Sequence, residues 1–133
     1  MVKFISIYMH YSNMSATDVT ASEWQEKVLS SNVLTAVDFW APWCPWCMKL
    51  RPVFEELAGQ YTGKIKFAKV NVDTQEEIAG KYGIMGIPVV KFFCDGKEVG
   101  ELVGYMPKDK LKSEMDKMLQ THKQCLAQTS SKK

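Results

Sequence analysis

Cys44 and Cys47 stand two residues apart in Trp43-Cys44-Pro45-Trp46-Cys47, where an apolar stretch from Ala36 to Trp40 gives way to helical spacing. A cysteine at a helix start lies beside backbone N–H groups that have no partner in the helix, and beside the positive end of the helix dipole. Both favour thiolate over thiol. A second cysteine one turn further on can then resolve the mixed disulfide that the first one forms. Cys44 is therefore the expected nucleophile, partly exposed, and Cys47 the more buried resolving thiol. The competing use of such a pair is half of a zinc site. That needs a second pair of ligands, and Cys94, Cys125, His10 and His122 are isolated along the chain, so no metal is expected.

Three further positions bear on this chemistry. Asp38 is an acid inside an apolar strand, between Val37 and Phe39. If buried, its pKa should rise towards neutrality, and it could take the proton of Cys47; if it faces solvent, it does neither. Lys69 shares strand parity with Ile65 and Phe67, which points it inward, where it would pair with a buried Asp38; a lysine at the solvent end of the strand is the other reading. Pro88 follows a glycine-containing loop and precedes a strand, and a cis Ile87–Pro88 bond would account for a proline there.

The elements that must hold these residues are legible in outline. Thr20-Ala21-Ser22-Glu23 has the capping-box pattern and opens a helix to about Ser31, with Trp24 and Val28 on one face. Ala36 to Trp40 reads as a buried strand. From Pro45 onward, Leu50, Val53, Phe54, Leu57, Ala58 and Tyr61 recur at helical spacing, with Pro52 expected to kink the helix. Ile65 to Val72 is strand-like, and Asp73-Thr74 starts a helix towards Tyr82. Val89 to Phe93 and Glu98 to Val103 form a hairpin about Asp95-Gly96. Pro107 opens a last helix with Leu111, Met115, Met118 and Leu119 on one face. Strands alternating with helices and ending in a hairpin imply an α/β fold, a central mixed sheet with helices on both faces.

A chain of 133 residues with 46% apolar residues makes one domain with an ordinary core. Its net charge of +2 and lack of a basic patch interleaved with aromatics give no case for nucleic acid, and no apolar run approaches the ~20 residues of a membrane span. One local cysteine pair plus two scattered cysteines fits a reducing compartment, hence the cytoplasm. Phe4 to Tyr11 is a short apolar run, but Ser6 and His10 interrupt it and no cleavage site follows, so export is not expected; Met14 is an alternative start. Residues 1–17 read as an extension, 18–122 as the domain and 123–133 as a polar, disordered tail.

Taken in order, Val37-Asp38-Phe39-Trp40-Ala41-Pro42-Trp43-Cys44-x-x-Cys47, Pro52, Lys69-Val70-Asn71-Val72-Asp73, Tyr82-Gly83-Ile84-x-Gly86-Ile87-Pro88 and Gly96 resemble the thioredoxins, from about Asp18 to Leu119. The resemblance implies the thioredoxin fold and reduction of protein disulfides, with Cys44 attacking and Cys47 resolving. It implies a redox-active Cys44–Cys47 disulfide with no other cofactor, a separate thioredoxin reductase as partner, and a monomer. By the same resemblance Asp38 is the buried aspartate and Lys69 its companion. Trp40 packs beneath the site, and Pro88 is the cis-proline opposite the cysteines. The backbone of Ile87 binds an extended substrate segment, Gly104 lets substrate approach, and Trp43 flanks the nucleophile.

One departure stands out. Thioredoxins usually carry Gly-Pro between the cysteines, and here Pro45-Trp46 takes that place, closer to the Cys-Pro-Tyr-Cys of glutaredoxins. Residues there tune the reduction potential. Oxidase, isomerase or glutaredoxin-like activity on the same fold therefore stands as the alternative to a reductase. A metal or iron–sulfur binding module is a more distant one. Trp46 offers an apolar contact for substrate. Cys94 and Cys125 are expected to stay out of catalysis, Cys94 being able to bond another subunit when oxidised.

Overall fold

A computed structural model describes residues 16–125. The run at Phe4 to Tyr11 and Met14 lie outside these residues, as does the tail beyond Cys125. Five strands make one sheet: β1 (Thr17–Asp18), β2 (Leu34–Trp40), β3 (Ile65–Asn71), β4 (Val89–Cys94) and β5 (Lys97–Val103). Their order is β1-β3-β2-β4-β5, with β1, β3 and β2 parallel and β4 and β5 antiparallel. The expected mixed sheet is present. It takes in Thr17, and Ala16 is buried against it, so the folded unit begins ahead of the expected boundary at Asp18.

β2 is the middle strand, and six of its seven residues are buried. Its side chains alternate between two cores, as the two-residue strand period requires. Leu34 and Ala36 join Leu50, Phe54 and Leu57 of helix α1 (Pro45–Gln60) and Leu111 and Met115 of helix α3 (Lys108–Thr121). Val37 and Phe39 face the other way, towards Trp24, Val28 and Ile78. Helices thus cover both faces. Asp38 shares the parity of Ala36, so its side chain faces α1.

Several boundaries differ from expectation. The segment after Thr20 is not one α-helix: a 3₁₀ turn at Ala21–Glu23 leads into a wider π-helical turn at Gln25–Leu29. The capping signal is still used, since the Thr20 N–H donates to Glu23 Oε1 at 3.1 Å. What overrides the α-helical hydrogen-bond pattern is packing: Trp24 sits against Phe39, Tyr82 and Phe93 and gives its indole N–H to the Tyr82 hydroxyl. The next helix, α2, spans Glu76–Lys81 and starts later than Asp73, because Asn71 closes a turn first through its backbone and side chain. Pro52 lies inside α1, which continues through it to Gln60. At the hairpin, Asp95 (φ 54) and Gly96 (φ 82) both take the left-handed conformation that an Asp-Gly turn favours.

The largest correction concerns the remote cysteines. Cys94 and Cys125, expected to be isolated with Cys125 in a disordered tail, form a disulfide within the chain. Their Cα atoms are 5.9 Å apart and both residues are buried. The chain does not fray at Gln124; a 3₁₀ turn at Lys123–Cys125 swings Cys125 back onto the end of β4. Apolar packing of α3 on the sheet brings the two sulfurs together, which spacing along the chain does not reveal. The bridge closes a loop with a sequence separation of 31. Loop-closure entropy at that length is worth about 3–4 kcal/mol. Cys94→Ser/Cys125→Ser should therefore lower the urea midpoint of the oxidised protein by an amount equal to about 3–4 kcal/mol, and an unchanged midpoint would count against the bridge.

Candidate active site

The site grows out of one junction. β2 ends at Trp40, a tight turn follows, and α1 begins. Cys44 is the residue that caps the helix, with extended backbone (φ −93, ψ 109), and its sulfur accepts the Cys47 N–H at 3.1 Å. Pro45, with no N–H to satisfy, fills the first helical position. The two cysteines are joined as a disulfide, with Cα atoms 5.2 Å apart. Cys47 is buried as expected. Cys44 is more enclosed than expected at 4% exposure, because its sulfur turns in towards Cys47 and towards the cis-proline loop.

That loop faces the cysteines. The Ile87–Pro88 bond is cis, and the Ile87 carbonyl oxygen lies 3.8 Å from the Cys44 sulfur. The Pro88 carbonyl is held by the Gly104 N–H at 2.8 Å, and Gly104 has φ 91, which a side chain would strain. Ile87 and Pro88, far from the cysteines in the chain, thus meet the redox pair, and Gly104 joins them through Pro88.

Around the pair lies exposed apolar surface. Trp43 is anchored by its indole N–H, 2.9 Å from Asp73 Oδ2, while its ring stays in solvent. The Trp46 ring lies 5.6 Å from that of Tyr105, and the Lys49 ammonium sits 5.0 Å from the Trp46 ring centre and 5.4 Å from that of Tyr105. Trp46 therefore leans on a neighbouring aromatic and a cation, yet remains exposed. Apolar surface of this kind around a reactive centre suits contact with another protein.

Beneath the pair are buried charges. Asp38 is 1% exposed, and its Oδ1 has no hydrogen-bond partner among the described residues. Burial pushes its pKa up to about 7, against the opposing pull of Lys69 and Arg51 and with a smaller push from Glu55. The inward reading of both strand residues is the one observed, and Asp38 and Lys69 are direct partners across β2 and β3. The expected Asp38–Lys69 ion pair is absent, however. The Lys69 ammonium lies 2.7 Å from Glu55 Oε2 and 4.0 Å from Asp18 Oδ1. Trp40 lies under Arg51, whose guanidinium is 4.5 Å from the ring centre.

Sequence reasoning missed Arg51 and Glu55. The signal was present: Cys47, Arg51 and Glu55 are spaced by four and lie along one line of α1. Cys94, Asp95 and Cys125 bring their potential ligand atoms within 4.8 Å of one another, but both sulfurs are engaged in the bridge. His10, weighed as a ligand, lies outside the described residues.

The raised Asp38 pKa carries a stability consequence. Its ordinary value is 3.8 and its folded value about 7, so the folded protein holds this proton more tightly than the unfolded chain. Stability from that proton is complete below pH ~4 and is lost as pH rises through ~7. Asp38→Asn, which stays neutral, should stabilise the protein above pH ~8 by up to ~4 kcal/mol relative to its effect at pH ~4. Urea unfolding at the two pH values measures this, and an equal effect at both would contradict the burial argument.

Comparison with known proteins agrees with the geometry. The family model for thioredoxin matches residues 15–117. Thioredoxin 1 of Nostoc sp. is 45% identical over 105 residues, 79% of this chain and 98% of that protein. Thioredoxin 2 of Chlorobaculum tepidum is 44% identical over 99 residues, 74% of this chain and 91% of its own length. A chloroplastic M-type thioredoxin of Brassica napus is 44% identical over 102 residues; that match covers 77% of this chain and 58% of the Brassica protein. With a cis-proline loop facing a capping Cys-x-x-Cys pair on a five-stranded mixed sheet, this chain belongs to the thioredoxin family.

Proposed function

We propose that the chain is a thiol–disulfide oxidoreductase that reduces disulfides in protein substrates through Cys44 and Cys47. The observation that carries this reading is the Cys44 sulfur, placed at the start of α1 and 3.8 Å from the Ile87 carbonyl of the cis-proline loop. A substrate segment laid along that loop presents its disulfide to the sulfur. In the reduced protein the Cys44 thiolate attacks one substrate sulfur, and the other leaves as a thiolate that takes up a proton. Asp38 accepts the Cys47 proton, and the Cys47 thiolate attacks Cys44. The second substrate sulfur leaves, and Cys44–Cys47 is again a disulfide. Two electrons have passed to the substrate; one of its two thiol protons comes from Cys47 by way of Asp38 and the other from solvent. A separate thioredoxin reductase returns the two electrons to the pair.

The roles of Trp43, Trp46, Ile87, Pro88 and Gly104 in this reading are to hold substrate. Trp40 and Pro52 support the site. No helix among the described residues is long and apolar enough to cross a membrane. A reducing compartment suits this chemistry, the cytoplasm in the reading from sequence. The Brassica napus relative is named for the chloroplast, so a plastid is the competing location. Cys94 and Cys125 are paired rather than scattered, so the cysteines favour a reducing compartment less than their spacing suggests. A monomer is the proposed state, since nothing in the mechanism calls on a second copy.

The specific observation favouring a less reducing protein is Pro45-Trp46 between the cysteines. The reduction potential decides between the two. A value of about −270 mV, the general figure for thioredoxin, supports a general reductase; a value above about −200 mV moves the protein to the glutaredoxin, isomerase or oxidase range. Two variants test the sulfur roles. Cys44→Ser should abolish reduction of a protein disulfide, and surviving activity would refute the nucleophile. Cys47→Ser should accumulate a mixed disulfide at Cys44, visible by mass; rapid turnover without it would refute the resolving role.

A further inference from the structure

The charges beneath the redox pair are arranged in a way that pairing Asp38 with Lys69 does not explain. Lys69 faces Asp38 across neighbouring strands, yet its ammonium is committed to Glu55 at 2.7 Å. Glu55 is itself fixed: its other oxygen accepts the Ala16 N–H at 2.9 Å. It stands two helical turns after Cys47 on the same line of α1, with Arg51 between them. Asp38 meanwhile keeps a buried oxygen with no hydrogen-bond donor among the described residues.

We propose that Glu55 is a positioning residue for disulfide exchange: it tethers the Lys69 ammonium and so keeps that cation from pairing directly with Asp38, which is left able to accept the Cys47 proton. The proposal rests on the reading of Asp38 as proton acceptor. Its physical basis is competition for one cation. An ammonium hydrogen-bonded to a carboxylate stabilises the ionised form strongly, and one held on another carboxylate acts only through space. A directly paired Asp38 would be ionised across the working range but a poor base. The charged groups acting on Asp38 are few. Lys69 comes from β3, and Arg51 and Glu55 come from α1. Its β4 register partner is Val90, which carries no charge, and Asp18 of β1 reaches Lys69 at 4.0 Å.

The test follows the second step alone. A preformed mixed disulfide between Cys44 and a substrate protein is prepared, and the rate of its resolution by Cys47 is followed across pH. In the unaltered protein the rate should rise with pH through a midpoint near 7, where Asp38 loses its proton. Glu55→Gln frees Lys69 to turn to Asp38, and the midpoint should fall by about one pH unit, with a lower plateau rate above it. Glu55→Asp keeps the charge and should restore the midpoint. Glu55→Gln/Lys69→Met has no Lys69 ammonium to re-pair and should also undo the fall, with Arg51 unchanged in both variants. A residue that only staples α1 to Ala16 would lower stability and leave the midpoint in place.

The outcomes separate cleanly. If Asp38→Asn abolishes the pH dependence and Glu55→Gln moves the midpoint down, the proposal stands. If Asp38→Asn abolishes it and Glu55→Gln leaves the midpoint unmoved, Glu55 has no such role. If Asp38→Asn leaves the midpoint in place, the acceptor reading itself falls and the proposal falls with it. Circular dichroism checks that each variant folds. Should Glu55→Gln fail to fold, Lys69→Met interrogates the same contact from the other side. A tethered ammonium predicts an upward move of less than about one pH unit, and a larger one signals a direct ion pair and overturns the proposal.

Discussion

An α-helix starts with N–H groups that no residue inside it can satisfy, and at the head of α1 the acceptor offered to one of them is a sulfur. The site depends on that substitution of a thiol for the usual oxygen cap. A capping serine or aspartate only completes a helix. A capping cysteine completes it and is polarised by it, since the same N–H groups and dipole that need an acceptor favour a thiolate. Pro45 strengthens the arrangement by removing one donor from the competition and pre-setting the backbone. β2, buried on both faces, supplies the fixed point from which the helix is launched.

The second constraint is the cost of charge under that helix. α1 buries Leu50, Phe54 and Leu57 against the sheet. Asp38 and Lys69 occupy the same layer, where ionised groups are expensive unless they are matched. Lys69 is matched by Glu55. Asp38 is left the less satisfied member, and the unmatched burial is what gives it a proton affinity near neutrality. The opposite treatment is seen at Lys91, equally buried but held by Glu98 and Glu101 at 2.7 Å each, a closed arrangement with nothing left over for chemistry. Incomplete satisfaction at Asp38 and complete satisfaction at Lys91 separate the proposed proton acceptor from a structural charge.

At the other end of β4 the Cys94–Cys125 bridge puts cysteine to a different use. Cys44 lies at a helix start, among orphan donors, at the edge of an exposed apolar rim. Cys94 and Cys125 lie at the end of a strand and in a 3₁₀ turn, both buried and away from any helix start. A pair of cysteine sulfurs is reactive in one setting and a staple in the other, and the setting is made by the backbone around it.

What the sequence alone determined here is local. The Cys-x-x-Cys spacing, the proline at the first helical position, the Asp-Gly turn and the alternation along β2 and β3 each follow from the conformations of a few neighbouring residues. Apart from β1, which lies at the edge of the expected extension, the succession of strands and helices, and the family, are therefore legible in the sequence. The 3₁₀ and π turns after Thr20 were not, because Trp24 answers to Phe39, Tyr82 and Phe93 rather than to its own neighbours. Nor was the Cys94–Cys125 bridge, which waits on α3 packing against the sheet. Nor was the choice of Lys69 between two carboxylates, Asp38 on the next strand and Glu55 on the helix above. Strand parity turns the lysine inward, but which acid it meets is decided only by the packing of α1 on the sheet, which brings Glu55 to 2.7 Å from the ammonium.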